Sequence, residues 1–574
     1  MKFSHRLAAA SGVAALLAPG AFAEITYLDA MQLPNGGEIV SFYKNTNTIL
    51  TTNSAGLSHQ VKTYTLGNDG HLIDGANIDF SSVLGGSNTL SLSSVAADPL
   101  GRDFGIASLI PTANSTTFGK IALFQLSTGA LLNTFDVGYH PDSVSFTPDG
   151  SKILVANEGE YKAGETAANA AAGSVSIINI SSITAGAAGA SALNSSHVTN
   201  VNFNSGLASG VSLNGVRLNV TGVNPLDAYK YIEPEYIAST NDKAFVSLQE
   251  NNSIAVIDLT GANANKVTAI HDMGTITKLI DASDRDGAGN GPRIAINDLV
   301  TGMPMPDTIV KFEKGGRTLI ATANEGDART DDGDIITYRD AVSAGLISAT
   351  TKAELDARYG GDSAANGNLG RLKILLNVGD TNGDGKIDVP TALGTRSFSI
   401  IDGETGELVF DSMSMIEEYV AQNHPATFNQ NDGNPALWDQ RSDDKGPEPE
   451  ALAYGEIDGR QFIFLGAERE NGIFQFDITD LNNVIIAGYY NTSTDGTNGV
   501  TSLAPESLQF ISAADSPTGE ALLIAGYEGT GGNGSVVVFS VNSLSPVPEP
   551  STVALAAGAV GLLCLAAWRR RKSA

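Results

Sequence analysis

The chain has one cysteine in 574 residues, Cys564, and it lies in the C-terminal tail. Disulfides, thiolate metal sites and cysteine nucleophiles are therefore excluded from the body of the protein. Basic side chains are scarce, 34 Lys and Arg against 63 Asp and Glu, for a formal charge of −29. Such a balance excludes binding nucleic acid or an anionic membrane through a basic face and favours cations as partners. The seven histidines form no H-x-H or H-E-x-x-H pattern, and G-x-S-x-G, P-loop and strand-linked G-x-G-x-x-G motifs are missing. What the chain does have is 63 Gly, 42 % hydrophobic residues and 7 % aromatics, a composition for a turn-rich β protein with a real core. Its length allows two to four average domains or one large domain built from repeats.

The two ends read as addresses. Residues 1–23 follow the order of a secretory signal: Lys2 and Arg6, an apolar stretch from Leu7 to Leu17, then Ala21-Phe22-Ala23 before Glu24. A buried N-terminal helix is the plainer alternative. At the other end, Val547-Pro548-Glu549-Pro550 precedes an uncharged, mostly apolar run from Ser551 to Trp568 and the basic cluster Arg569-Arg570-Arg571-Lys572. The run is just long enough for a transmembrane helix, with the basic end held in the cytoplasm. This tripartite tail, 547–574, resembles the PEP-CTERM sorting signal of Gram-negative bacteria. That resemblance implies an exosortase-type processing protease as a partner and release to the cell surface or extracellular matrix; a permanent single-pass anchor is the alternative. Either way the segment 24–546 crosses the inner membrane, and membrane contact is through the tail alone.

Between the ends a repeat recurs. It starts with a strand opening on proline and an acid, continues with an apolar strand closing on an acid, and adds a third apolar strand. The five clear copies begin at Pro141, Pro234, Pro306, Pro449 and Pro505; two weaker ones begin near Glu38 and Ser94. Three short strands per copy, separated by Asp-Gly, Asn-Gly or other Gly turns, with a less regular fourth, predict an all-β, seven-bladed β-propeller over 24–546. Six or eight blades, a solenoid or two β-sandwiches also fit the spacing. Long insertions interrupt the pattern. Ala163–Ala172 is Ala-rich, Ser181–Tyr231 is of low complexity with room for an extra hairpin, and 327–395 splits the fifth blade and carries the one convincing helix, near Thr351–Tyr359.

Two sets of residues could carry chemistry. The sequence Asp380-Thr381-Asn382-Gly383-Asp384-Gly385-Lys386-Ile387-Asp388 puts oxygen ligands at loop positions 1, 3, 5 and 9, Gly at 6 and the Lys386 carbonyl at 7. A hard cation such as Ca²⁺ needs six to eight oxygens around a sharp turn. Position 12 is Thr391, so a solitary dockerin-like loop, completed from elsewhere and mainly structural, is expected; a solvated Asp/Asn/Gly turn is the alternative. The second set comes from stacking the repeats. Asp142, Glu235, Asp307, Glu450 and Glu506 follow the opening prolines, and Glu158, Glu250, Glu325, Glu468 and Glu528 close the next strand. Antiparallel pairing brings the start of one strand and the end of the next to the same face. The ten carboxylates are thus expected around one channel mouth, where they would repel each other and attract cations. Turn capping and pairing with basic residues such as Arg469 is the structural alternative, and no basic cluster is evident among the channel positions. Asn324-Glu325-Gly326-Asp327-Ala328-Arg329 reads either as a metal-and-anion holder or as a charge-paired turn.

The repeat text also resembles a known family. Ile232-Glu-Pro-Glu-Tyr-Ile-Ala, Leu248-Gln-Glu-Asn-Asn, Asp281-Ala-Ser-Asp-Arg-Asp-Gly, Ala323-Asn-Glu-Gly-Asp-Ala-Arg329, Gly446-Pro-Glu-Pro-Glu-Ala and Ser512-Ala-Ala-Asp-Ser-Pro-Thr-Gly519 are similar to choice-of-anchor I proteins. The resemblance implies a secreted, propeller-like body with one of several surface-anchoring signals; some relatives are labelled alkaline phosphatase-like. Two functions follow as expectations. One is a calcium-stabilised surface propeller that binds a matrix polymer or another surface protein. The other is a Ca²⁺-dependent phosphoesterase, similar in principle to propeller phytases, in which bridging ions would hold phosphate over the acidic mouth. No residue stands out as catalytic, and fold alone does not choose between the two.

Overall fold

The computed structural model describes residues 24–34, 36–53, 60–80, 83, 90–111, 117–159, 171–183, 186–218, 223–328, 333–529 and 532–543. The expected signal at 1–23, most of the Ala-rich insertion, Arg329 and the tail at 547–574 lie outside the described residues. Among the described residues, no helix is long and apolar enough to cross a membrane.

Seven four-stranded antiparallel sheets follow one another along the chain. They span 40–79 (sheet I), 90–139 (II), 141–202 (III), 234–272 (IV), 309–411 (V), 449–491 (VI) and 505–541 (VII). Sheet VII borrows its outermost strand from the other end of the chain: Ile25–Pro34 pairs antiparallel with Asn533–Val541. The first strands, Val40–Tyr43, Leu90–Ala97, Pro141–Phe146, Pro234–Ser239, Ile309–Lys314, Pro449–Ile457 and Pro505–Ile511, touch one another in that order, and the last touches the first.

The second strands explain themselves. Lys152–Asn157, Lys243–Leu248 and Leu522–Tyr527 are continuous apolar runs because both their faces are covered. The cores accordingly lie between neighbouring sheets rather than within one. Phe464 of sheet VI meets Leu523 and Phe539 of sheet VII, and Val155 of sheet III meets Ile106 of sheet II.

The insertions depart from expectation in three ways. Ser181–Tyr231 forms no hairpin among the described residues; it supplies Val198–Asn202, the outer strand of sheet III, and the 3-10 turns Ser195–His197 and Pro225–Tyr231. An edge strand buries little, so its Thr/Asn-rich sequence looks like a loop. The helix predicted near Thr351 is Ala349–Tyr359, but it is joined by Tyr338–Ser343 and, outside the insertion, by Met415–Asn423. The last helix buries Ile416 and Val420 in the core between sheets V and VI, with Met415, Tyr419 and Ala421 packed against that core. Finally, 327–395 does split sheet V, yet it does not stand alone. Its strands Ile335–Thr337, Lys373–Leu375 and Thr391–Leu393 join Ile276–Ile280 and Asp298–Met303 in an eighth, five-stranded sheet. Arg371 pairs with Asp284, in the loop between two strands of this sheet, at 2.8 Å, and ties the sheet to the segment before sheet VI through Asp443 at 2.6 Å.

Candidate functional site

The opening prolines of sheets III, IV, VI and VII stand opposite the ends of the second strands: Pro141 faces Asn157, Pro234 faces Leu248, Pro449 faces Ala467 and Pro505 faces Tyr527. In each sheet the register slips immediately after proline, so Asp142, Glu235, Glu450 and Glu506 sit in β-bulges. A bulge re-aims its side chain, here toward the acid that follows the second strand. The residue before proline is left-handed at His140 (φ 47°), Met305 (48°), Glu448 (53°) and Ala504 (59°). A side-chain-bearing residue pays about 1–2 kcal/mol for that conformation. The turn is held by bonds from the second acid: the Glu158, Glu468 and Glu528 amides donate to the carbonyls of His140, Glu448 and Ala504 at 2.8, 2.7 and 3.0 Å. In sheets III, VI and VII both acids of a repeat are therefore locked to the same corner.

All ten expected acids are brought together. Burial first, then Glu158, Glu250, Asp142 and Asp307, raise the Glu235 carboxyl well above its usual range. Glu250 is raised by burial, Glu158 and Asp327. Burial followed by Glu325, Asp307, Glu506 and Glu468 does the same to Glu450, and burial with Glu468, Glu528, Glu38 and Asp307 to Glu506. Asp307 and Glu468 are pushed up to about 8, chiefly by burial. Glu250 is 8 % exposed, and its Oε2 is buried with no hydrogen-bond partner among the described residues. The Glu450 Oε2 atom is also buried, and the Glu450 carboxyl shares a hydrogen bond with Asp307. Tyr236, the neighbour of Glu235, projects among these acids, and its hydroxyl is raised by burial and then by Asp307, Asp142, Glu506 and Glu450. Below the acids a cavity of about 310 Å³ runs along the first strands of sheets I–IV, lined by Val40, Ser41, Val95, Ser143 and Ser145.

The expectation that no basic cluster stands among these acids is corrected. Lys445 bonds to Glu325 and lies 3.0 Å from Glu448. Arg469 reaches Glu468 at 2.8 Å and Glu448 at 3.5 Å, and Arg441 also pairs with Glu448. Burial alone would raise Glu448, but Lys445, Arg441 and Arg469 outweigh it and hold the carboxyl down at about 2. In sheet III, His140 Nδ1 lies 3.0 Å from Glu158 Oε2. Lys445 and Arg441 come from the irregular loop before sheet VI, so stacking the repeats could not align them. Glu448 and Glu38 were visible in repeat text but occupy positions outside the two aligned sets. Carboxylate oxygens of Glu325, Glu448 and Glu468 lie within 4.8 Å of one another, as do those of Glu468, Glu506 and Glu528. Either trio is close enough to share one hard cation.

The loop Asp380–Asp388 is an exposed turn of the insertion. Asp380 accepts from the Gly383 and Gly385 amides at 2.7 and 2.8 Å, Asn382 from the Asp384 amide at 2.9 Å, and Asp384 from the Lys386 amide at 2.8 Å. Asp388 accepts from the Thr381 hydroxyl at 2.8 Å, and the Lys386 ammonium donates to the Gly345 carbonyl. The Gly385 amide contributes most to holding Asp380 below the usual carboxylate range, as the Thr381 hydroxyl does for Asp388. The loop oxygens are thus pre-arranged around the turn, and the neighbouring Asp388 carbonyl accepts from Thr351 of the helix at 2.7 Å. In the Asn324–Arg329 segment, Glu325 faces the mouth while the Asn324 amide is spent inside sheet V, on Ser399 at 2.8 Å.

Residues 38–481 match the model of the Choice-of-anchor I domain, and residues 546–572 match the PEP-CTERM protein-sorting motif. The chain is 31 % identical over 197 residues to Gigasin-3a of Magallana gigas, covering 32 % of this chain and 68 % of that protein. Among solved structures, it is similar to Kuenenia stuttgartiensis hydrazine synthase, with a TM-score of 0.43 and 10 % identity over 90 % of this chain and 97 % of the other. A Pseudomonas aeruginosa periplasmic gluconolactonase, PpgL, aligns with a TM-score of 0.35 and 12 % identity over 78 % and 84 % of the two chains.

Proposed function

Given that the chain belongs to the choice-of-anchor I family and ends in a motif that implies export, exosortase-type processing and C-terminal anchoring at the cell envelope, we propose that it is a surface-held, calcium-stabilised binding protein. Its body is a closed ring of seven blades; the cycle of contacts among the first strands and the N-terminal strand completing sheet VII support this reading. The ring presents its acidic mouth to divalent cations and, through them, to a matrix polymer or surface protein. One observation carries the proposal: acids from five sheets crowd one corner, with the Glu250 Oε2 atom buried and without a hydrogen-bond partner among the described residues. Leaving such groups bare is costly, and a bound cation would satisfy them. The loop Asp380–Asp388 holds a separate structural Ca²⁺ in the insertion.

A second reading, a metal-dependent phosphoesterase, draws support from Lys445, Arg441 and Arg469, which set positive charge beside the carboxylates. One experiment separates the two. The chain is stripped with chelator and titrated with Ca²⁺ while bound ions per chain and hydrolysis of a generic phosphomonoester are followed. The binding protein takes up ions, gains thermal stability and turns nothing over. Calcium-dependent turnover, lost in Glu235→Gln with Glu450→Gln, makes it an enzyme. Divalent-ion binding unchanged in that double variant would remove the metal-binding mouth.

A further inference from the structure

The five-stranded sheet is open at one point. Its strands Asp298–Met303 and Thr391–Leu393 run parallel, but they pair only from Thr301 opposite Thr391 onward. Pro390, the residue before, has no N–H with which to extend the ladder. A cavity of about 160 Å³ is lined there by Leu299 and Val300 from one segment and by Val389 and Pro390 from the other. Thr351, Glu354, Leu355 and Arg358, one face of the helix Ala349–Tyr359, line it too. Its interior is apolar: Val300, Leu355, Leu369, Leu372 and Ile374 belong to the buried core under this sheet.

The polar groups of the lining have partners, with two exceptions. The Thr277 and Thr301 hydroxyls bond to each other at 2.8 Å, Thr351 donates to the Asp388 carbonyl at 2.7 Å, and the Tyr338 and Ser363 hydroxyls meet at 3.1 Å. The Asp388 carboxylate accepts from the Thr381 hydroxyl at 2.8 Å. Glu354, by contrast, has neither a hydrogen bond nor an ion pair among the described residues. Arg358 gives one N–H to the Leu299 carbonyl at 3.0 Å and makes no ion pair among them. Both side chains are exposed at the rim, one helical turn apart, and they do not pair with each other.

We infer that this slot binds one free α-amino acid with a large apolar side chain, of the phenylalanine kind. An apolar cavity of about 150 Å³ is enough for a benzene ring, so the slot takes one side chain, whose burial supplies the affinity. At the rim the Glu354 carboxylate recognises the ammonium and the Arg358 guanidinium the carboxylate of the same molecule. Residues four apart on a helix stand about 6 Å apart at Cβ, a span that one zwitterion bridges. A peptide bond removes one of the two charges, so the free amino acid is the form that answers both. The slot shares no residue with the acidic mouth, and the inference does not depend on that mouth binding cations.

The test uses the full chain and L-phenylalanine, with the dissociation constant read by isothermal titration calorimetry. Saturable binding of one molecule per chain is expected, and glycine, which has no side chain, should not bind at the same concentrations. N-acetyl-phenylalanine lacks the ammonium and phenylalaninamide the carboxylate; each should bind about two- to fivefold more weakly, the scale of one exposed ion pair. Glu354→Gln should weaken phenylalanine by the same factor and leave N-acetyl-phenylalanine unchanged, while Arg358→Gln should weaken phenylalanine and leave the amide unchanged. Both side chains are exposed, so these variants should keep the wild-type melt. Val389→Trp, at a wall residue that is 37 % exposed, should abolish binding by filling the slot. Absence of saturable phenylalanine binding to the wild type, or equal binding in the wild type and all three variants, would overturn the site. Equal affinity for phenylalanine and both blocked forms would overturn it as well, because the rim charges would then recognise nothing.

Discussion

Asp281 has no exposed surface and accepts from the Ser283 and Ala295 amides at 3.3 and 2.5 Å. Even so, burial and then Asp439 push its carboxyl up to about 8, and burial raises Asp439 itself to about 7. An unfolded aspartate releases its proton near about pH 4. Between that value and the folded pKa values the native state holds protons that the unfolded chain has lost, so stability is greatest at the acid end and declines as pH rises. The decline is up to about 1.4 kcal/mol per pH unit for each such group. Asp281→Asn should flatten it, as melts between about pH 5 and pH 8 would report. An unchanged slope would place the proton elsewhere. The Asp281-Ala-Ser-Asp-Arg-Asp-Gly text was legible as a family motif; that its first acid is sealed inside the protein was not, because burial comes from the segment around Ala295 and the loop at Asp439.

At the scale of elements, the insertion is the part whose stability can be tuned alone. Ser348 caps the helix Ala349–Tyr359 by accepting from the Thr351 amide, and Gly360 ends it at φ 64°. Ser348→Ala should cost about 1 kcal/mol, seen as faster amide exchange in the insertion with the sheets of the body unchanged. Asp384→Ala removes both a proposed ligand and the acceptor for the Lys386 amide. Proteolysis within 327–395 should then proceed equally with and without Ca²⁺, whereas the wild-type insertion should be protected by the ion. Equal cutting of the wild type in both conditions would count against the loop as a calcium site. The helix and loop were readable because their signals are local: a serine cap, a left-handed glycine, fixed ligand spacing. The five-stranded sheet was not, since its strands are three to six residues long and come from two segments separated by sheet V's first hairpin.

For the whole molecule, the joint in sheet VII matters most. Deleting 24–34 leaves Asn533–Val541 as an unpaired edge rich in valine. An exposed apolar edge is a template for association, so the truncated chain should melt earlier and elute as larger species in size-exclusion chromatography. An unchanged melt and elution would mean that sheet VII does not depend on its N-terminal strand. The amino-acid sequence by itself determined the C-terminal sorting motif, the all-β repeat and the ten equivalent acids, because each depends on local order: a tail, a strand period, an acid at a fixed offset from proline. Register and bulges then carried those acids to one corner without further help. Only the tertiary structure decided which of them have partners. Lys445 and Arg441 arrive from an irregular loop with no place in the repeat, and they pair with Glu325 and Glu448. Charge pairing acts through space at a few ångströms, and the path of a non-repeating loop sets those distances, not the spacing of residues along the chain.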